Sequence, residues 1–218
     1  YEICGRSFNV LSVIRSPKSA KSSQFDNYYY LELEETESKE RCYFRYDSES
    51  EFKFPFIVVG YYNKLRESLI GKQFVFRNAH FSGDHDVITG KAIESAAGRI
   101  WSCTDIAIEE QFYYLEMVIQ SNLGETLTTD YKVLNKDIYS RDGFTVEEAG
   151  RFQSQFGEAN WALILDRQVA IGMTEEMVKM SLGIPTNIKS AVSGCWWYYD
   201  GLSVYFENGL LARTWTDE

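Results

Sequence analysis

Gly172-Met-Thr-Glu-Glu-Met-Val-Lys-Met-Ser-Leu-Gly183-Ile-Pro185, then Cys195-Trp-Trp-Tyr-Tyr199, then Tyr205-Phe-Glu-Asn-Gly209, form the stretch that decides the fold class of this chain. Thr174 stands where a helix N-cap is wanted. Glu175 and Glu176 follow in the first turn, where carboxylates favour the positive end of the helix dipole. Met173 before the cap and Val178 four positions after it are placed for a hydrophobic staple. Met173, Met177 and Met180 recur at helical spacing and give the helix one apolar face, best used as core packing. Gly183 supplies a left-handed stop, and Pro185 prevents the helix from resuming. Asp200-Gly201 and Asn208-Gly209 are tight-turn signals flanked by strand formers. Along Leu202 to Glu207, Leu202, Val204 and Phe206 face one way and Ser203, Tyr205 and Glu207 the other, a half-buried strand. The stretch therefore reads as one short helix followed by a three-stranded antiparallel meander.

The Gly-Met-Thr entry, the Leu-Gly-Ile-Pro exit and the final Tyr-Phe-Glu-Asn-Gly resemble the SmpA/OmlA (BamE-like) module of bacterial cell-envelope proteins, a layout shared with β-lactamase-inhibitor-like domains. The resemblance covers residues 167–218, under a quarter of the chain. It implies helices packed on one face of a small sheet, an envelope location and action through protein contacts. It carries over no catalytic residue. Thr145-Val-Glu-Glu148 is a capping box, and its helix to about Phe156 could serve as the module's first helix. A strand-like run, Trp161-Ala-Leu-Ile-Leu165, separates the two.

The chain has 218 residues, with 44% hydrophobic and 16% aromatic content and only three prolines, the composition of a packed globular protein. Its net charge of −10 and pI near 4.8 are interrupted by no Lys/Arg cluster. Such a surface repels a phosphate backbone and anionic headgroups, which argues against nucleic-acid or direct lipid binding. No apolar run approaches the roughly 20 residues needed to span a bilayer as a helix. The chain opens at Tyr1 without an initiator Met, as expected of a mature or trimmed protein whose export signal has been removed. In many relatives a lipidated cysteine would stand upstream. The expected location is the periplasm, the outer-membrane surface or the medium.

Tyr28–Glu34, Arg41–Tyr46, Phe54–Val59, Gln73–Arg77, Ile100–Cys103, Phe112–Ile119 and Tyr131–Leu134 are aromatic or β-branched runs that predict strands. Ser16–Asn27 reads as a loop, and Gly60–Ile70 as a short helix with Leu65 and Leu69 on one face. Gly5-Arg-Ser-Phe8 before Tyr29-Tyr-Leu-Glu32 is echoed by Gly98-Arg-Ile-Trp101 before Tyr113-Tyr-Leu-Glu116, which suggests a duplicated β-rich unit. Its short strands and glycine turns resemble tandem bacterial SH3-like barrels. The expected organisation is α+β: two β-rich, SH3-like units over 1–95 and 96–166, then the BamE-like module over 167–218.

Candidate chemistry is sparse. His80, Asp84, His85 and Asp86 could supply imidazole and carboxylate metal ligands from one loop, but their spacing matches no established site, and a polar turn around Ser82-Gly83-Asp84 explains them. Cys103, with one of those histidines and Asp105, could imitate a cysteine hydrolase, yet Trp101-Ser-Cys-Thr-Asp105 reads as a strand ending in a turn, with Asp105 adding negative charge where a reactive thiolate needs a helix N-terminus or a cation. The pairs Glu109-Glu110, Glu147-Glu148 and Glu175-Glu176 are adjacent and diverge, unlike an acid/base dyad. Cys4, Cys42, Cys103 and Cys195 lack metal-ligand spacing; in an exported protein they permit two disulfides in three connectivities. No cofactor motif is present. The expectation is a non-catalytic envelope protein that binds a protein partner, with Trp197, Tyr199, Tyr205 and Trp215 as candidate contact residues. A glycan or cell-wall binder using exposed aromatics is the alternative, and a cysteine hydrolase the third reading.

Overall fold

The structure is a computed structural model and describes residues 5–15, 28–47, 56–109 and 114–216. Cys4, Ser16–Asn27, Phe54, Pro55, Glu110, Phe112 and Tyr113 lie outside them. The chain forms two compact units, residues 1–57 and 58–218. Four α-helices and three antiparallel sheets are described, a mostly β, mixed α/β protein.

The first unit is an antiparallel meander of β1 (Phe8–Arg15), β2 (Tyr28–Glu35) and β3 (Arg41–Asp47). Leu31 and Leu33 of β2 are buried, and Phe56 sits edge-on to Phe8 and Phe44.

The second unit begins with α1 (Val59–Leu69), which buries Leu65. Val59, expected at the end of a strand, opens this helix instead. A five-stranded sheet follows, in the order β7-β6-β5-β4-β8, from β4 (Gln73–Phe76), β5 (Trp101–Ile108), β6 (Leu115–Ser121), β7 (Thr126–Asp130) and β8 (Gly143–Thr145). Because β4 lies between β5 and β8, the boundary expected at 95/96 falls inside one hydrogen-bonded sheet. Tyr131–Leu134, expected as a strand, is a 3-10 helix; the Asp130 carboxylate accepts from the Lys132 N–H at 2.8 Å and turns the chain out of β7.

α2 (Val146–Phe156) starts at the capping box read from the sequence, with the Thr145 hydroxyl and the Glu148 carboxylate each serving the other's backbone N–H. Trp161-Ala-Leu-Ile-Leu165 is the last part of a helix, α3 (Glu158–Leu165), rather than a strand. A five-residue apolar run carries no period of its own. Gly157, at φ 83°, redirects the chain after α2, and Trp161 and Ile164, three apart on α3, enter one cluster with Phe144, Phe152 and Met180.

α4 (Glu175–Leu182) is capped by Thr174, whose hydroxyl accepts from the Met177 N–H. Its stop at Gly183 has positive φ (91°) but an extended ψ (−165°), not the left-handed helical value expected. The meander that follows has four strands rather than three, β9 (Asn187–Ala191), β10 (Gly194–Tyr199), β11 (Leu202–Glu207) and β12 (Leu210–Thr216), in sequential order. Every residue of β9 is exposed, so no apolar alternation marked it. Asn208 and Gly209 both have positive φ (53° and 77°), as a two-residue turn matching strand twist requires. Gly194 is obligatory for close approach, since a Cβ there would lie 1.9 Å from the Phe206 carbonyl oxygen. Met173, Val178, Trp197, Val204, Phe206 and Leu211 close the core between α4 and this sheet.

Arg77, directly after β4, joins these layers. It is almost fully buried (1% exposed). Its guanidinium donates to the carbonyls of Ile164 and Met180, both at 2.7 Å, and of Arg141 at 3.1 Å, and lies 3.6 Å from the Asp142 carboxylate. Ile164 and Met180 belong to the last turns of α3 and α4, where a cation offsets the negative ends of two helix dipoles. Burial pushes its pKa down to about 10, so it stays charged at neutral pH.

The β1–β2 and β5–β6 hairpins share one pairing pattern, in a different register from the one the sequence echo suggests. β1 pairs with β2 as Phe8↔Glu35, Asn9↔Glu34 and Val10↔Leu33, skips Leu11, and resumes at Ser12↔Glu32 and Val13↔Leu31. β5 pairs with β6 as Trp101↔Ser121, Ser102↔Gln120 and Cys103↔Ile119, skips Thr104, and resumes at Asp105↔Val118 and Ile106↔Met117. The bulge falls at the same step. The bond into the hairpin also repeats, Thr36 N–H to Ser7 O and Asn122 N–H to Ile100 O, both 2.9 Å. Gly98 therefore matches Gly5, as expected, but Leu31 matches Met117 rather than Leu115. The Tyr-Tyr-Leu-Glu echo is two residues out of step, a slip that preserves which face each residue takes.

Arg77→Met should lower stability by about 3–5 kcal/mol, because it strands the buried carbonyls at the ends of two helices. Arg77→Lys should recover only part of the loss, since an ammonium lacks the fork that reaches several acceptors at once. Urea unfolding midpoints check both.

Candidate binding surface

Successive strand residues point to opposite faces, and partners across a ladder share a face. The registers Trp196↔Lys189, Trp196↔Tyr205 and Tyr205↔Arg213 place Lys189, Trp196, Tyr205 and Arg213 in one row across the C-terminal sheet. Tyr198↔Asn187, Tyr198↔Ser203 and Ser203↔Trp215 form the next row on the same side. This side is opposite the α4 core. It is aromatic and carries the cations Lys189 and Arg213, with Glu207 at the end of β11, on a chain whose net charge is −10.

The four residues expected to make contacts divide between the two sides. Trp197 is 2% exposed in the core, 4.5 Å from the Phe206 ring, with Lys179 over its indole. Tyr199 also faces the helices; its hydroxyl donates to Gly183 O at 3.2 Å, and burial pushes its pKa up. Tyr205 and Trp215 are on the outer side, with Trp215 67% exposed. Tyr205 is covered there by Trp196, ring to ring at 5.0 Å, and its hydroxyl meets Ser193 at 2.9 Å. The outer strand face expected to be open is thus partly roofed by its own aromatics. Trp196, Tyr198, Lys189 and Arg213 carry no contact signal in the sequence; their alignment with Tyr205 and Trp215 on one side follows only from the ladder register. Lys189 stands over Tyr198 at 5.2 Å and Arg213 over Tyr205 at 5.9 Å, both within cation–π range.

The loop of candidate ligands serves other purposes. Asp86 is buried, and its carboxylate accepts from the backbone N–H of Ile88, Thr89 and Thr126 and from the Thr89 hydroxyl. These bonds, the one from Thr126 foremost, hold its pKa down to about 2. His80 stacks on Phe76 and lies 3.8 Å from Asp142; burial lowers its pKa. Asp84 and His85 are exposed. Among the described residues, no group of three His, Cys, Asp or Glu side chains gathers at metal-binding distance.

Cys103 is buried on β5, and burial first, then the Asp105 charge, pushes its thiol up to about 11. That is the opposite of what a nucleophilic thiolate requires. Asp105 itself is paired with Arg66 at 3.3 Å. Cys42, Cys103 and Cys195 are free thiols. A cleft of about 270 Å³ opens among Leu65, Leu69, Phe74, Tyr131, Arg141 and Glu148, but its main charges are already paired, Arg141 to Glu148 at 2.7 Å.

Among the described residues, no helix is long and apolar enough to cross a membrane. Comparison with protein-family models, curated proteins and solved structures returned no match.

Asp86 also yields a pH dependence. Its folded pKa is depressed, so its contribution to stability is complete above the ordinary aspartate value and is lost as pH falls from about 4 toward 2. The urea midpoint should fall across that window, and less steeply in Asp86→Asn. Equal slopes would show that the Asp86 bonds do not support the fold.

Proposed function

We propose that this is a non-catalytic protein of the bacterial cell envelope that binds a partner protein through the outer face of its C-terminal sheet, in the manner of the SmpA/OmlA, BamE-like modules that residues 167–218 resemble. The observation that supports the reading is the concentration of Trp196, Tyr198, Arg213 and Trp215 on the side of the sheet opposite α4. Tyr, Trp and Arg are the residues that dominate protein interfaces, since they bury much area at small entropic cost and keep a polar handle. Helices α3 and α4 occupy the other side, which leaves this one for the partner.

Exposed aromatics also suit the apolar faces of sugars, which keeps a glycan or cell-wall ligand as a second reading. The cations weigh against it. Lys189 and Arg213 already stand over the rings of Tyr198 and Tyr205, so a sugar would have to displace them before it stacked on those two rings. A partner presenting carboxylates and apolar side chains would engage cations and rings together.

A photo-crosslinker placed in turn at 189 and at 215, in the full chain in its native cells, should capture the same envelope protein from both positions. One at Leu123, exposed in the turn between β6 and β7, should not. Arg213→Glu with Trp215→Ala should lower capture from position 189 at least tenfold while leaving the thermal midpoint within a few degrees. Capture of unrelated proteins from the two positions, with tryptophan fluorescence that responds to soluble envelope glycans, would replace this reading by the glycan one.

A further inference from the structure

The duplicated hairpin meets two different fates. In the second copy, the outer edge of β5 is occupied. Cys103 exchanges backbone bonds with the turn before β4, Gly71 N–H to Cys103 O at 2.8 Å and Cys103 N–H to Lys72 O at 2.9 Å, and the pairing continues as Gln73↔Ser102 and Phe74↔Trp101. Beyond that, α1 lies along the strand: the Tyr62 hydroxyl donates to Ile106 O at 3.3 Å and Arg66 pairs with Asp105. A helix, a glycine turn and a short aromatic strand, residues 59–76, thus complete this sheet. Under that cover Cys103 is 1% and Ile106 2% exposed.

In the first copy the equivalent residues are Val10 and Val13, fixed by the shared register and the shared bulge. They lie on the same face as buried Leu33 and Leu31, their ladder partners, yet are 57% and 61% exposed. Phe56 packs edge-on to Phe8 and Phe44 on this face. Among the described residues β1 pairs with β2 alone and is an edge of its sheet. Leu11 and Ile14 are exposed as well. An eight-residue edge strand with four exposed aliphatic side chains and no proline, whose one charge on this face, Arg15, stands at its last position, is a template for strand addition.

We propose that β1 is an acceptor edge for a partner protein: a helix–glycine turn–strand segment, with aromatic residues at alternate strand positions, adds antiparallel to β1 and covers Val10 and Val13. The occupant's chemistry follows from the second copy, where Gln73-Phe74-Val75-Phe76 and the helix before it fill the matching place. The proposal rests on the reading of the protein as a binding protein, but it uses a different surface from the C-terminal sheet.

The test uses the full chain and a synthetic peptide of its own residues 59–78, with hydrogen exchange followed by mass spectrometry. The peptide should slow exchange saturably at residues 8–15. A peptide with both phenylalanines of Phe74 and Phe76 replaced by Asp should not, and Val10→Lys with Val13→Lys should weaken protection at least tenfold with the circular dichroism and thermal midpoint unchanged. Trp215→Ala should leave peptide binding intact, which separates this site from the C-terminal one. No change at 8–15, protection that survives the lysine substitutions, or protection at 101–108 in its place would overturn the proposal. A concentration-dependent dimer abolished by the same lysines would overturn it too, and would assign the edge to a second copy of the chain.

Discussion

The second unit depends on how one buried cation is satisfied. A guanidinium removed from water costs several kcal/mol unless acceptors surround it in its own plane. Arg77 finds them at the C-terminal ends of α3 and α4 and in the Arg141–Asp142 turn. Those acceptors belong to segments far apart in the chain, so their mutual positions are set by the dimensions of the fork. The five-stranded sheet, through β4, is thereby tied to the helix layer. The helix layer then holds the C-terminal sheet through Met173, Val178 and Trp197.

That arrangement gives the C-terminal sheet two unlike sides. The side toward α4 is apolar and closed, and its tryptophan contributes cohesion. The other side carries aromatic rings with cations above them, against an overall acidic surface. Local positive charge on such a chain is a feature a partner can read, since complementary potentials fix orientation and exclude wrong partners. The buried, high-pKa Cys103 and the fully engaged Asp86 belong to the framework.

The repeated hairpin shows how context changes the fate of one local structure. Both copies share pairing, bulge and entry bond, which are short-range consequences of similar strands. Exposure differs because burial depends on what lies along the outer edge. α1 and β4 supply that cover for β5, whereas β1 has none among the described residues. The two-residue slip between the Tyr-Tyr-Leu-Glu echo and the true register arises because a pleated strand repeats every two residues, so a shift of two leaves the apolar pattern intact.

Signals carried by neighbouring residues were legible from the chain alone: the Thr145 and Thr174 caps, the Asn208-Gly209 turn, the methionines on the core side of α4 and most of the strands. Each rests on interactions within a few positions, where side-chain chemistry and backbone geometry are directly coupled. Elements without such signals were not. β9 has no apolar alternation, β1 was not marked as a strand, and the Trp161–Leu165 run fits helix or strand equally until Phe152 and Met180 pack against it. The division of Trp197 and Tyr199 from Tyr205 and Trp215 could be read as alternation, but the gathering of Lys189, Trp196, Tyr205 and Arg213 into one row required the ladder register. By itself the sequence determined the helix caps, the tight turns and the parity of each strand, because these are local. Only the tertiary structure decided which parity faces a helix, which edge stays open and where Arg77 is satisfied, because those depend on groups brought together across the whole length of the second unit and on the area they exclude from water.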